Sequence, residues 1–82
     1  MKLFILIESY SDDDGNFGSF IHSTHKTKEE ALEELKKHHD NTVENFKEPD
    51  DTYEDGDEWF DISEADDIEI RNECHIEEIN ID

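Results

Sequence analysis

The chain reads as an α+β domain, a small and mostly antiparallel sheet with one helix packed on one face, in an element order of about ββαβββ. Three observations lead there. Apolar runs with a two-residue period stand at both ends of the chain, and a single stretch with helical spacing stands between them. The length of 82 residues leaves room for one domain, residues 1–82.

Residues 2–10 (KLFILIESY) form the first strand. Phe4, Leu6 and Tyr10 point one way and Leu3, Ile5 and Ile7 the other, and a run apolar on both faces marks an interior strand. Asp12-Asp13-Asp14-Gly15-Asn16 has the composition of a turn. Phe17 to Thr24 then hairpins back as a second strand. Thr27 opens the helix: Thr27-x-x-Glu30 is a capping box in which hydroxyl and carboxylate each satisfy an orphan backbone N–H. Ala31, Leu32, Leu35, Val43 and Phe46, with His39 filling the gap, keep the 3–4 spacing of one helical face, so the helix spans 28–46 and stops before Pro49. Residues 48–56 (EPDDTYEDG) read as a loop, and 58–62 (EWFDI) as a third strand. Residues 67–71 (DIEIR) alternate with Ile68 and Ile70 inward. Residues 75–81 carry Ile76, Ile79 and Ile81, whose parity changes midway and predicts a bulge or a bend.

Charge dominates the composition. Twenty-six acidic residues face seven basic ones, a formal charge of −19, where a small soluble domain carries a magnitude of about 2–8. Self-repulsion on that scale opposes folding. Only nineteen of the 82 residues are Leu, Ile, Val or Phe, close to the composition at which highly charged chains stay unfolded. The charge therefore points to a role outside folding. It is also lopsided: residues 1–47 carry −4 and residues 48–82 carry −15, and five of the seven bases lie on or beside the helix. An acidic proteome adapted to high salt is one alternative origin, but such adaptation does not concentrate bases on one element.

The single cysteine, Cys74, allows no internal disulfide and suits a reducing compartment. The apolar start, Leu3 to Ile7, is shorter than a signal-peptide core of about 7–15 residues or a membrane helix of about 20. A cytoplasmic protein is expected, without a membrane partner.

The acidic loops invite a test for calcium. Counting from Asp12, position 6 is Phe17 and position 12 is Ser23, where an EF-hand needs glycine and glutamate; counting from Asp51, positions 3 and 12 are Tyr53 and Ile62. Neither is a built site. His22 and His25 are three apart on a strand and are expected to face opposite ways, His38 and His39 are adjacent on the helix, and no pair of them has the four-residue helical zinc spacing. A site assembled from Cys74 and His75 with a distant part of the fold stays open. No nucleophile elbow, P-loop or dinucleotide fingerprint is present. The expectation is a non-enzyme with no cofactor, no catalytic residue and no metal.

Direct binding to nucleic acid is excluded, because phosphate contacts need cations. The inverse relation fits. Carboxylates on alternate strand residues recur about every 6.6 Å, and neighbouring strands lie about 4.8 Å apart. A sheet face and loop bearing Asp50, Asp51, Glu54, Asp55, Asp57, Glu58, Asp61, Glu64, Asp66, Asp67 and Glu69 approximates an array of phosphates. Trp59, Tyr53 and Phe60 sit inside that stretch. Each is either core or, where exposed, the apolar anchor that charge alone lacks, and Trp59 joins the candidate partner-binding set.

Small size, extreme acidity, one helix against a short antiparallel sheet and no catalytic motif make the chain resemble the DNA-mimic inhibitors of bacteriophages and mobile elements, of anti-restriction and anti-CRISPR type. The resemblance lies in charge and architecture and carries no residue over. It implies a basic partner, a nuclease or nucleic-acid-binding complex such as a CRISPR effector or restriction enzyme, met in the host bacterial cytoplasm. The competing reading is an antitoxin or immunity protein, or a chaperone for a basic protein. Dense negative charge along strand edges opposes pairing of two copies.

Overall fold

The computed structural model describes residues 1–81; the last residue of the expected 1–82 domain lies outside the described residues. The α+β expectation holds. Five strands form one antiparallel sheet, β1 (Lys2–Ser11), β2 (Phe17–His25), β3 (Pro49–Asp51), β4 (Trp59–Glu64) and β5 (Asp67–Asn80), with one helix, α1 (Lys28–Val43). The strand order is β2-β1-β5-β4-β3. β1 is interior, as its two apolar faces require, and the longest strand, β5, runs through the middle. Among the described residues, no helix is long and apolar enough to cross a membrane.

Local chemistry sets the first two connections. In the β1–β2 turn, Asp12 Oδ1 accepts from the backbone N–H of Asp14 and Asn16 at 3.0 and 2.9 Å, and Gly15 takes a φ of 86° that a side chain would resist. A third bond, from Asn16 Nδ2 to Asp12 Oδ2 at 3.1 Å, is the chief reason that the Asp12 carboxyl lies below its ordinary pKa, and the two backbone bonds add to it. At the head of α1, Thr27 Oγ1 accepts from Glu30 N at 3.2 Å, the first half of the capping box.

The core lies between α1 and one face of the sheet. Leu6, Ala31, Leu35, Phe60, Ile62 and Cys74 are fully buried, and Phe4, Val43, Phe46, Tyr53 and Ile76 pack around them. Within α1 the inward residues are Ala31, Leu35, His39 and Thr42. The helix closes at Val43, three residues before the expected 46. Asn45 N and Phe46 N turn back onto the carbonyls of Thr42 and Val43 at 3.0 and 3.3 Å, and that turn returns Phe46 to the core.

The second half departs from the sequence reading in three places. Pro49–Asp51, expected as loop, pairs with β4 as a three-residue edge strand (Asp50 opposite Ser63, Asp51 opposite Ile62). Proline is tolerated at an edge because its missing N–H has no ladder partner to satisfy. The two strands expected over 67–71 and 75–81 are one strand of 14 residues. Its register against β1 is unbroken from Arg71 to Asn80, so neither bulge nor bend is needed. The isoleucine parity changes because both faces are used: Ile76 joins the core, while Ile79 lies opposite Leu3 on the other face. Ile68, expected inward, is 77% exposed. The register shift beside Glu64 releases residues 68–70 from pairing with β4 and carries Ile68 off the core.

Candidate functional site

One helix covers one face of the sheet and leaves the other uncovered. Directly paired residues share a face, so the open face is read as rows across the strands. One row runs Asp50, Ser63, Arg71, Ser11, Phe17; the next runs Asp61, Glu73, Ser9, Ser19. The third is Trp59, His75, Ile7, Ile21, followed by Glu77 with Ile5 and Thr24, and by Ile79 with Leu3. A carboxylate-rich strip therefore borders an apolar one. Trp59 is 48% exposed and Ile21 61% exposed. Apolar groups left this open on a charge-rimmed face make it the candidate contact surface.

The twelve predicted residues do not form one array. Asp50, Trp59 and Asp61 share the open face. Asp51 turns to the helix side, where its Oδ2 meets His39 Nε2 at 2.6 Å and its Oδ1 accepts from Tyr53 N. Asp55 pairs with Lys36 at 3.2 Å, and Glu58 forms an ion pair with Lys28. These contacts tie the 52–58 loop to the helix and raise the pKa of both lysines, through the hydrogen bond to the carboxylate first and its charge second. Asp57 caps Glu54 N, Glu64 accepts from Lys47 N and Glu48 N, and Asp67 accepts from Glu69 N. Asp61 holds the Arg71 guanidinium through both carboxylate oxygens. Asp50, Glu54, Asp66 and Glu69 have exposed side chains with no partner of their own among the described residues. Trp59 resolves its alternatives by standing outside the core, whereas Phe60 is fully buried.

Sequence reasoning missed Glu73 and Glu77, whose carboxylates flank His75 on the open face at 2.9 and 3.2 Å. Their i±2 spacing around a histidine on a strand was the available signal. Cys74 and His75 cannot share an ion: Cys74 is buried on the helix side, and His75 points to the open face.

A second arrangement was also missed. His22 and His25 do not face opposite ways. The register shift between Leu6 and Ile7 skips His22, so both imidazoles lie on the helix side. There His22 stacks on His38 with ring centroids 4.4 Å apart, and His38 Nε2 lies against Glu8 Oε1. Glu8 is 9% exposed and sits at a core-parity position, in line with Phe4, Leu6 and Tyr10. Glu34 reaches His22 Nε2 at 3.8 Å.

His38 and His75 titrate in opposite directions. At His38 burial is the largest influence and lowers the pKa below 6.5, against the charge of Glu8. At His75 burial also acts downward as the largest single influence, but the hydrogen bonds it donates to Glu77 and Glu73, with their charges, together raise the pKa above 6.5. His75 therefore contributes stability that is fully present below pH 6.5 and lost as pH rises through its folded pKa. His38 does the reverse: protonation is disfavoured in the folded chain, so a penalty appears as pH falls through 6.5. Imidazole proton shifts followed by NMR in chelator-treated buffer are expected to give a midpoint above 6.5 for His75 and below it for His38. Coincident midpoints would contradict both environments.

No protein-family model, curated protein or solved structure matches this chain.

Proposed function

We propose that this protein is a non-catalytic acidic inhibitor that occupies the basic nucleic-acid groove of a nuclease or nucleic-acid-binding complex in the bacterial cytoplasm. The observation that carries the reading is the open face, where Asp50, Asp61, Glu73 and Glu77 lie beside the half-exposed Trp59. Cross-strand carboxylates about 5 Å apart and same-strand carboxylates about 7 Å apart fall on the scale of phosphate spacing. A net charge of −19 steers the encounter with a cationic groove. The tryptophan supplies the desolvated anchor that a purely ionic contact lacks. The molecule extends 45 × 26 × 15 Å, a slab of a size that a duplex-binding cleft admits.

The test is capture from nuclease-treated bacterial lysate on tagged protein, eluted in salt steps, followed by competition with duplex DNA. The expected result is one nucleic-acid-binding complex that duplex DNA displaces. Trp59→Ala should weaken it about 30-fold, the size of a hot-spot contact, and Asp50→Lys with Glu73→Lys should remove it at physiological salt. A captured partner that duplex DNA does not displace would sink the mimic reading. One observation favours the second reading, an immunity protein or antitoxin: Ile5, Ile7, Ile21 and Ile79 give the open face an apolar strip that a duplex does not present. In that case the isoleucines, rather than Asp50 and Glu73, govern affinity.

A further inference from the structure

On the helix side of the sheet, away from the open face and independent of its reading, we propose that Glu8, His22 and His38 bind one divalent transition-metal ion of the zinc type. One ligand atom from each lies within 4.8 Å of the others, on three elements: β1, the bulge of β2, and α1. Two imidazole nitrogens with one carboxylate oxygen suit zinc and its neighbours and disfavour calcium or magnesium, which take all-oxygen shells.

The geometry is close to what the ion needs. Tetrahedral zinc with bonds of about 2.0–2.1 Å sets its ligand atoms about 3.4 Å apart. His22 Nδ1 stands 3.6 Å from Glu8 Oε1. His38 Nε2 approaches Glu8 Oε1 more closely still, and a small rotation of the carboxylate admits an ion between them. His38 Nε2 is buried and has no hydrogen-bond partner of acceptable geometry among the described residues.

Supporting groups are already in place. Asn72 Nδ2 donates to Glu8 Oε2 at 3.4 Å, and Glu34 faces the Nε2 of His22 that the metal leaves over, the carboxylate–histidine–metal relation that fixes ring orientation. Cys74, opposite Glu8 in the sheet, is not in this group: the ligand atoms that lie within 4.8 Å of one another are those of Glu8, His22 and His38. A bound ion would tie the β1–β2 hairpin to the helix.

The experiment is titration of the full chain with Zn2+ against a chromophoric chelator, with Ca2+ as the control for the many surface carboxylates. One equivalent of Zn2+ should bind, excess Ca2+ should not displace it, and the midpoint of thermal unfolding should rise. His22→Ala and His38→Ala should each weaken Zn2+ binding by about 100-fold or more, whereas His25→Ala, on the same strand, should leave it unchanged. Equal affinity in wild type and the His22→Ala, His38→Ala double variant would overturn the site, since binding would then belong to surface carboxylates. Should a variant fail to fold, NMR of the wild type decides: Zn2+ must shift the imidazole signals of His22 and His38 and spare those of His25 and His39, and uniform shifts or none refute the proposal.

Discussion

Phe60→Ala is expected to unfold most of the population at 37 °C. Phe60 is the largest fully buried side chain, and its ring makes edge contacts with His39 and Tyr53 at centroid separations of 5.4 and 6.4 Å. Truncating a buried phenylalanine costs about 3–5 kcal/mol, from lost transfer energy and the cavity left behind. A domain of this length has only about 4–12 kcal/mol to lose, and the self-repulsion of −19 puts this one toward the low end. Here the cavity would also open beside His39, which is 7% exposed and held between Asp40 and Asp51 at 2.9 and 2.6 Å. Water entering there would loosen the His39–Asp51 contact between the β3 edge strand and the helix. Urea unfolding followed by far-UV circular dichroism measures the loss, with Phe60→Leu, a much smaller change in volume, retaining most of the stability. A loss below about 1 kcal/mol in Phe60→Ala would show that the ring is not the centre of the core.

The second large effect is that of simple salt. A charge of −19 smeared over a sphere of about 17 Å radius, matching the 13.3 Å radius of gyration, has a self-energy on the order of 14 kcal/mol at about 0.15 M salt and on the order of 7 kcal/mol at about 1 M. Part of that relief is shared by the expanded unfolded chain, which leaves about 3–5 kcal/mol for the folded state. Sodium chloride raised over that range at pH 7 should therefore lift the thermal midpoint by more than about 10 °C. The surface ion pairs oppose the trend only weakly, because exposed pairs such as Lys2–Glu78 and Lys36–Asp55 contribute little at any salt concentration. A flat salt response would mean that bound counterions or protonated carboxylates already neutralise the surface.

What was legible in the sequence was local. The two faces of β1, the Asp12 turn, the second strand and the Thr27 cap each follow from neighbouring residues, and each stands where the residues put it. What was not legible depends on pairing between distant segments. Pro49–Asp51 has the composition of a loop and becomes a strand only because β4 offers an edge. The isoleucines of β5 look out of phase until the sheet is seen to use both faces. The β2 bulge that turns His22 toward Glu8 is a fact of register, invisible in the order HSTH. For the same reason the acidic stretch looked uniform. Lys28, Lys36, Arg71 and several backbone N–H groups claim seven of its eleven carboxylates, and those partners come largely from other elements. Trp59, which the sequence left between core and surface, is half exposed.

The β1–β5 pairing has a consequence for how the chain reaches its fold. The β1–β2 and β4–β5 hairpins close over short loops, but every pair along the seam between β1 and β5 joins positions at least about 60 residues apart. Closing that seam is expected to be the slow step, and the halves that must meet carry −4 and −15. Repulsion between them holds the folding rate down, and added salt should quicken folding more than it slows unfolding. Until they meet, each half shows a bare interior strand edge, the kind of surface on which chains pair with strangers. Here a stranger is another copy of the same polyanion. The charge that delays each molecule's own closure also keeps its neighbours at a distance, and the wait is a safe one.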